Sequence, residues 1–304
     1  MTDILVIGGG PAGLTAALYA LRNGKTVTLM EKNGFGGQIT YSPRVENWPG
    51  TQCMSGNEFA DSLTEQVLAL GVEAELEEAA GVTRKGDLLQ VTTAGGKVFE
   101  AGAVVLATGV KHRMLGLPGE QELVGEGVSF CAVCDGDFFT GRDVCVVGGG
   151  NSALQEACLL AGKCRSVTLL QDLPYLTAER RLQDSFLSRE NAVCRTGVRV
   201  TGLCRDESGL TGVTLEDRET GKAETLPCDG LFIAIGLIPE NQAFADVAPL
   251  DPQGYFDAGE DCVTATPGVF VAGDCRRKSV RQLTTAAGDG ACAALAACRY
   301  LDAR

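Results

Sequence analysis

Cys131-Ala132-Val133-Cys134 sets two thiols three residues apart, and Asp135-Gly136 follows at once. Such a pair can close a disulfide, supply half of a metal site or pass two electrons. A structural zinc needs four ligands, and the chain has neither a second C-x-x-C nor a histidine pair. No metal is therefore expected, and electron transfer is the chemistry that fits. Attack on a partner disulfide requires a thiolate, which a C-x-x-C turn favours by aiming backbone N–H groups at the sulfur. The second cysteine then resolves the mixed disulfide. Protons have to be handled as well. His112 is the only histidine and falls in an expected linker, so Cys–His activation is poorly supplied. Asp135 is the better general acid and base, a role compatible with capping the turn.

Two nucleotide-binding fingerprints flank the pair and must position it. Ile4–Ile7 reads as a strand, Gly8-Gly9-Gly10-Pro11-Ala12-Gly13 opens a helix to about Arg22, and Val27–Met30 is a strand ending at Glu31. Gly8, Gly10 and Gly13 permit the tight turn and let backbone N–H groups approach a pyrophosphate at the helix N-terminus. Glu31, 23 residues after Gly8, is placed to accept hydrogen bonds from a ribose diol. The pattern recurs with strand Asp143–Val147, the run Gly148-Gly149-Gly150-Asn151-Ser152-Ala153 and strand Ser166–Leu170. Alanine replaces the third glycine, which the fingerprint allows.

The C-terminus argues that the second fold is inserted into the first. Val269-Phe270-Val271-Ala272-Gly273-Asp274 reads as a buried strand ending in Gly-Asp, and a helix of small residues runs from about Gln282 to Leu301. Both would complete the first domain, with crossovers near Gly109–Leu117 and Gly236–Asn241, where glycines and prolines collect. The expected fold is α/β, two Rossmann-like dinucleotide-binding domains, with 1–112 and 243–304 forming the outer one and 113–242 the inner one that carries the C-x-x-C.

The chain has 304 residues, 40 glycines and 13 cysteines, scattered and odd in number, so a disulfide framework is not expected. Cys145, Cys158, Cys194, Cys228, Cys292 and Cys298 stand in apolar or helical contexts and read as buried small hydrophobes. No segment approaches a membrane span and no secretory signal is visible, which gives a cytoplasmic expectation. A formal net charge of −13 argues against nucleic acid as a partner. Any acidic protein partner would need a local basic patch, for which Arg276-Arg277-Lys278 with Arg281 and Arg180-Arg181 with Arg189 are the candidates.

Taken together, GGGPAG, Gly36-Gly37-Gln38, Val45-Glu46-Asn47-Trp48-Pro49-Gly50, Ala107-Thr108-Gly109, CAVCDG, GGGNSA, Gly273-Asp274 and Arg281-Gln282 resemble, in this order, the low-molecular-weight thioredoxin reductases. The resemblance runs over nearly the whole length. It implies FAD in the outer domain, its pyrophosphate and adenosine ribose held by Gly8, Gly10, Gly13 and Glu31. It also implies that Gly37, Gln38, Asn47, Asp274, Arg281 and Gln282 surround the flavin and its ribityl chain. Cys134 would face the flavin and Cys131 attack the disulfide of thioredoxin. A homodimer with a swinging inner domain is implied as well.

One stretch departs from the family pattern. Where NADPH-dependent members carry a His-Arg-Arg cluster and a further arginine, this chain has Leu170-Gln171-Asp172-Leu173-Pro174-Tyr175-Leu176-Thr177-Ala178. A 2′-phosphate loses its charge-assisted partners here and meets Asp172. The resemblance is then greatest to the ferredoxin-linked flavin thioredoxin reductases, with ferredoxin as the expected donor. NADH, with Gln171 or Asp172 on the ribose, and NADPH are the alternatives. A flavin dithiol oxidase is a further reading, disfavoured because such relatives follow the C-x-x-C with histidine rather than Asp135.

Overall fold

The computed structural model describes all 304 residues. The chain begins with β1 (Thr2–Ile7), a strand buried almost throughout, as suits the middle of a parallel sheet. Helix α1 (Pro11–Arg22) starts with proline in its first turn, where a missing N–H costs nothing. Strand β2 (Val27–Glu31) follows, and then α2 (Gly56–Ala69), opened by a reciprocal capping box between Ser55 and Glu58. After β3 (Glu73–Leu76) come three antiparallel strands, β4 (Ala79–Lys85), β5 (Leu88–Thr93) and β6 (Val98–Leu106). The chain leaves this unit through β7 (Lys111–His112).

A second compact unit spans His112–Leu237. It contains β8 (Val128–Ser129), the short helix α3 (Ala132–Asp135), β9 (Asp143–Val147), α4 (Asn151–Ala161), β10 (Ser166–Gln171), α5 (Arg180–Leu187) and β11 (Ala192–Thr196). Strands β12 (Val198–Asp206), β13 (Gly209–Asp217) and β14 (Ala223–Pro227) form a separate antiparallel sheet. Strand β15 (Gly230–Ile233) rejoins the parallel sheet, whose order is β11-β10-β9-β15-β8. The chain returns through β16 (Leu237–Ile238), which pairs with β7.

The first unit is completed by β17 (Val269–Val271) and α6 (Leu283–Asp302), so that Met1–Lys111 and Ile238–Arg304 form one body. Its sheet runs β3-β2-β1-β6-β5-β4, and β17 lies parallel to β6 with Val269 opposite Val104. Helices α1 and α6 pack closely on one face through Ala16, Ala20, Ala293 and Ala297. Gly290 is required there, because a Cβ would run into the carbonyl of Ala12. The small residues of α6 therefore serve backbone approach rather than side-chain bulk.

The return crossover at Leu237–Ile238 falls within the expected Gly236–Asn241 stretch, a few residues ahead of the boundary drawn at 242/243. Asn241 explains why. Its buried amide accepts from the Thr108 hydroxyl at 2.6 Å and donates to the carbonyls of Gly254 and Cys275 at 2.9 Å, all within the first unit. Two readings of single residues need correction. Cys292 is exposed, because α6 turns Asp289, Gly290, Ala293 and Ala297 inward and leaves position 292 outside; Cys158 and Cys194 are half-buried, while Cys145, Cys228 and Cys298 are buried as expected. The Arg276–Lys278 run is not a free basic patch. Arg276 is 1% exposed, its guanidinium bonded to Asp289 and Glu260, while Lys278 also reaches Asp289 and Arg277 pairs with Asp257. No helix is long and apolar enough to cross a membrane.

Candidate active site

Cys131 and Cys134 are joined by a disulfide with Cα atoms 5.3 Å apart. Cys131 is the N-cap of α3, and its sulfur accepts the Cys134 N–H at 3.2 Å. A thiolate at Cys131 would keep that donor, the local device that stabilises charge on sulfur. Val133 projects between the two cysteines and is exposed.

Asp135 lies half-buried behind the pair. One carboxylate oxygen accepts from the Ser129 hydroxyl at 2.6 Å, and the same Ser129 oxygen accepts the Cys131 N–H at 3.1 Å. The other oxygen, Oδ1, is buried without a partner. Burial pushes the Asp135 pKa up, and the Ser129 hydrogen bond only partly opposes it. A carboxyl whose pKa is raised holds its proton more readily and can donate it, which is what a thiolate leaving group needs. His112 takes no part in this. It stacks on Phe130 with ring centroids 4.5 Å apart, and burial pulls its pKa down to about 4, so it is neutral.

Three loops of the first unit converge on the uncapped start of α1. Gly8, at φ 110°, donates its N–H to Met30 at 2.8 Å, and a Cβ at Gly13 would strike the Gly8 carbonyl. Glu31 accepts the N–H groups of Gly9 at 2.7 Å and Asn33 at 2.9 Å. The Gly36–Gly37 turn folds over Gly10, with the Gly36 N–H donated to Gly9 at 2.8 Å. Gly273 comes close enough that a Cβ would lie 2.8 Å from that of Ala12, which brings Asp274 to the same place. Its Oδ1 is buried without a partner, and burial raises its pKa. Behind it, Asp289 accepts the Gly273 N–H at 3.0 Å. Gln38 donates to the Val110 carbonyl, Asn47 donates to Gln282 at 3.2 Å, and Arg281 donates to the Asp274 carbonyl while lying over the Tyr255 ring at 4.3 Å. The geometry thus gathers Gly8, Gly10, Gly13, Glu31, Gly37 and Asp274 at one helix end. Asn47 and Gln282 form a pair of their own, and Gln38 is tied to the end of the sheet.

The second fingerprint has the same turn, with an amide where the first has an acid. Gly148, at φ 132°, donates to Leu170 at 2.9 Å, as Gly8 does to Met30. Here the buried amide of Gln171 lies against the middle glycine, so that a Cβ on Gly149 would sit 2.5 Å from it, and it donates to the Tyr175 carbonyl at 3.3 Å. The chain from Leu173 to Ala178 folds back, Thr177 and Ala178 each donating an N–H to Gly149 at 2.9 Å. Asp172 is held by Arg199 at 3.1 Å and by Arg218 at 3.0 Å.

Two residues that sequence reasoning passed over belong to the dithiol site. Ser129 links Asp135 to the Cys131 amide, and Glu156 on α4 accepts the Ala132 N–H while its Oε2 is buried without a partner. A lone acid inside the apolar run Ala153–Ala161 was the signal available for the second.

Comparisons with known proteins fit this geometry. The model of the pyridine nucleotide-disulphide oxidoreductase family matches residues 2–290. The thioredoxin reductase of Listeria monocytogenes is 38% identical over 300 residues, which are 99% of this chain and 94% of that one. The bifunctional thioredoxin reductase/thioredoxin of Mycobacterium leprae is 40% identical over 98% of this chain and 66% of its own length. The crystal structure of thioredoxin reductase from Streptococcus pyogenes superposes with a TM-score of 0.96 at 36% identity, covering 100% of this chain and 99% of that one. With two Rossmann-like sheets, a C-x-x-C disulfide between the fingerprints and these likenesses over its length, the chain belongs to the pyridine nucleotide-disulphide oxidoreductase family, in the low-molecular-weight thioredoxin reductase group.

Proposed function

We propose that this flavoenzyme carries electrons from FAD through the Cys131–Cys134 disulfide to thioredoxin, and that a ferredoxin-type protein, rather than NADPH, feeds the flavin. The observation that carries the first part is the disulfide at the N-cap of α3 with a buried, partly orphaned carboxyl behind it. The first unit fits FAD. It offers a glycine cradle that a Cβ would fill, a helix N-terminus without a side-chain cap, and an Asp274 oxygen that lacks a partner. Gly8, Gly10 and Gly13 would hold the pyrophosphate and Glu31 the ribose, with Gly37, Gln38, Asn47, Asp274, Arg281 and Gln282 around the rest. FAD, when bound, supplies the two electrons that open the disulfide.

The residues of the chain then do the following. Cys131, as thiolate, attacks a sulfur of thioredoxin's disulfide, and the Cys134 N–H steadies the negative charge beforehand. Asp135 donates a proton to the departing sulfur, held in place by Ser129. Cys134 then attacks Cys131, re-forming the disulfide and releasing reduced thioredoxin. Family resemblance supports a homodimer.

The donor reading is supported by the second fingerprint. Where the first fingerprint has Glu31 the second has the amide Gln171, which is a weaker partner for a ribose diol, and the neighbouring Asp172 is paired with Arg199 and Arg218. The test is anaerobic. The yellow holoenzyme is mixed separately with NADPH, NADH and reduced ferredoxin, then with oxidised thioredoxin, while the flavin absorbance is followed. Rapid bleaching by ferredoxin alone, reversed by thioredoxin, is the expected result. Rapid bleaching by either nicotinamide would overturn the donor assignment, and reduced enzyme that thioredoxin cannot reoxidise would overturn the acceptor.

A further inference from the structure

Beneath the C-x-x-C the second unit holds two carboxylates, of which the mechanism above uses one. Asp135 closes α3, and Glu156 lies on α4, which packs against α3. Each carboxylate has one satisfied oxygen, Asp135 through the Ser129 hydroxyl and Glu156 through the Ala132 N–H from inside the C-x-x-C turn. Each also has one buried oxygen with no partner, Oδ1 of Asp135 and Oε2 of Glu156. Two buried anions arranged like this would each forfeit the solvation of a bare oxygen and repel the other. One proton on the pair relieves both costs, since a protonated carboxyl gains a donor.

We propose that Glu156 is a positioning residue for the proton of the dithiol site: its charge acts on Asp135 from α4, so that the two buried carboxylates together retain one proton and Asp135 stays able to donate. Glu156 does not touch the sulfurs in this account and acts through Asp135. In the thioredoxin half-reaction the Cys131–sulfur bond forms as thioredoxin's S–S bond breaks, and the leaving sulfur takes the proton held by the pair. The Cys134 thiol returns its proton to the pair as its sulfur attacks Cys131. The mixed disulfide breaks, and the second thioredoxin sulfur leaves as a thiolate. The enzyme ends oxidised with one proton on the carboxylates, as it began, and thioredoxin ends with one thiol and one thiolate.

The surroundings agree. Burial, and then the charge of Asp135, push the Glu156 pKa up to about 7, against the Ala132 N–H that pulls it down. Asp135 is the charged group acting on Glu156. The other elements packed on α4, namely β9, β10 and α5, present apolar Val144, Val146, Val167, Leu169 and Phe186. Because the two acids interact, the apparent pKa values belong to the pair rather than to either residue.

This inference rests on the thioredoxin reductase reading but not on the donor, so the experiment bypasses the donor. Holoenzyme is reduced anaerobically with dithiothreitol, freed of excess, and mixed rapidly with oxidised thioredoxin across a pH series. In wild type the rate should fall along a basic limb as the shared proton is lost. In Glu156→Gln, which keeps shape and removes the second charge, that limb should move down by about one pH unit or more, with the rate on the acid side within about threefold of wild type. A Glu156→Gln profile that overlays wild type would overturn the proposal, as would a uniform loss of rate with no shift. An independent reading needs no variant. The carboxylic-acid C=O band in the infrared spectrum of the wild-type enzyme should persist above the ordinary carboxylate range and fade near pH 7, and its absence at about pH 6 would contradict a shared proton.

Discussion

The two fingerprints of this chain are built alike and furnished differently. Gly8 and Gly148 both stand at positive φ and both donate to the strand beside them. At the first, an acid closes the second strand of the unit, two more glycine loops arrive, and a buried carboxylate oxygen waits without a partner. At the second, the place of Glu31 is taken by the amide Gln171, packed on the middle glycine as Glu31 is on Gly9, and its acidic neighbour Asp172 is already paired with two arginines. A glycine-rich turn is therefore a way to seat a helix against a strand as much as a nucleotide site. What decides between the two is whether the polar groups around the turn are still unspent. On this account the second unit keeps the turn to carry α3, α4 and the dithiol.

The comparison can be broken by substitution. The largest effect is expected at Gly13, where a side chain would strike the Gly8 carbonyl; Gly13→Val should weaken flavin binding by about 100-fold or more and yield colourless protein, because α1 can no longer seat. At the matching position the second unit already carries Ala153, and Ala153→Gly should leave the flavin in place and cost only about 1 kcal/mol of helix propensity. Glu31→Ala should weaken FAD binding by about 10- to 100-fold, the scale of hydrogen bonds to a charged group. Gln171→Ala, its counterpart, should leave both FAD affinity and ferredoxin-driven turnover unchanged. Flavin bleaching by NADH that is present in wild type and lost in the second variant would show that Gln171 holds a nucleotide.

A third difference between the units is a matter of pH. The second contains the only histidine, and burial lowers the His112 pKa from 6.5 to about 4. The stability it confers is present above 6.5 and is lost as pH falls through 6.5 towards about 4, because the unfolded chain binds the proton first. Acid unfolding followed by tryptophan-independent probes, such as amide hydrogen exchange, should open the second unit before the first, and His112→Phe should reduce the gap. The smallest effect belongs to Asp172→Asn. Its partners are about half exposed, so thermal stability should move by less than about 1 kcal/mol.

Much of this was legible from the sequence. The two strand–glycine–helix runs, the C-x-x-C between them and the closing Gly273–Asp274 strand are local patterns, and local patterns are what periodicity and spacing report. The dithiol site beyond Asp135 was not. Ser129, Asp135 and Glu156 come from β8, α3 and α4, and nothing in their spacing announces that the three meet. The same limit applies to Arg276, which reads as surface charge until Asp289 and Glu260 are seen to enclose it. Cys292 was misjudged because an apolar neighbourhood along the chain is not a buried face on a helix.

The central claim is that the second fingerprint is a structural turn and holds no pyridine nucleotide. Equilibrium binding of NADPH and of NADH to the oxidised holoenzyme, by calorimetry, tests it most directly. The account predicts no saturable binding of either up to about 1 mM, equivalent to less than about 4 kcal/mol of affinity. Stoichiometric binding of either in the micromolar range, lost in Gln171→Ala, would contradict it.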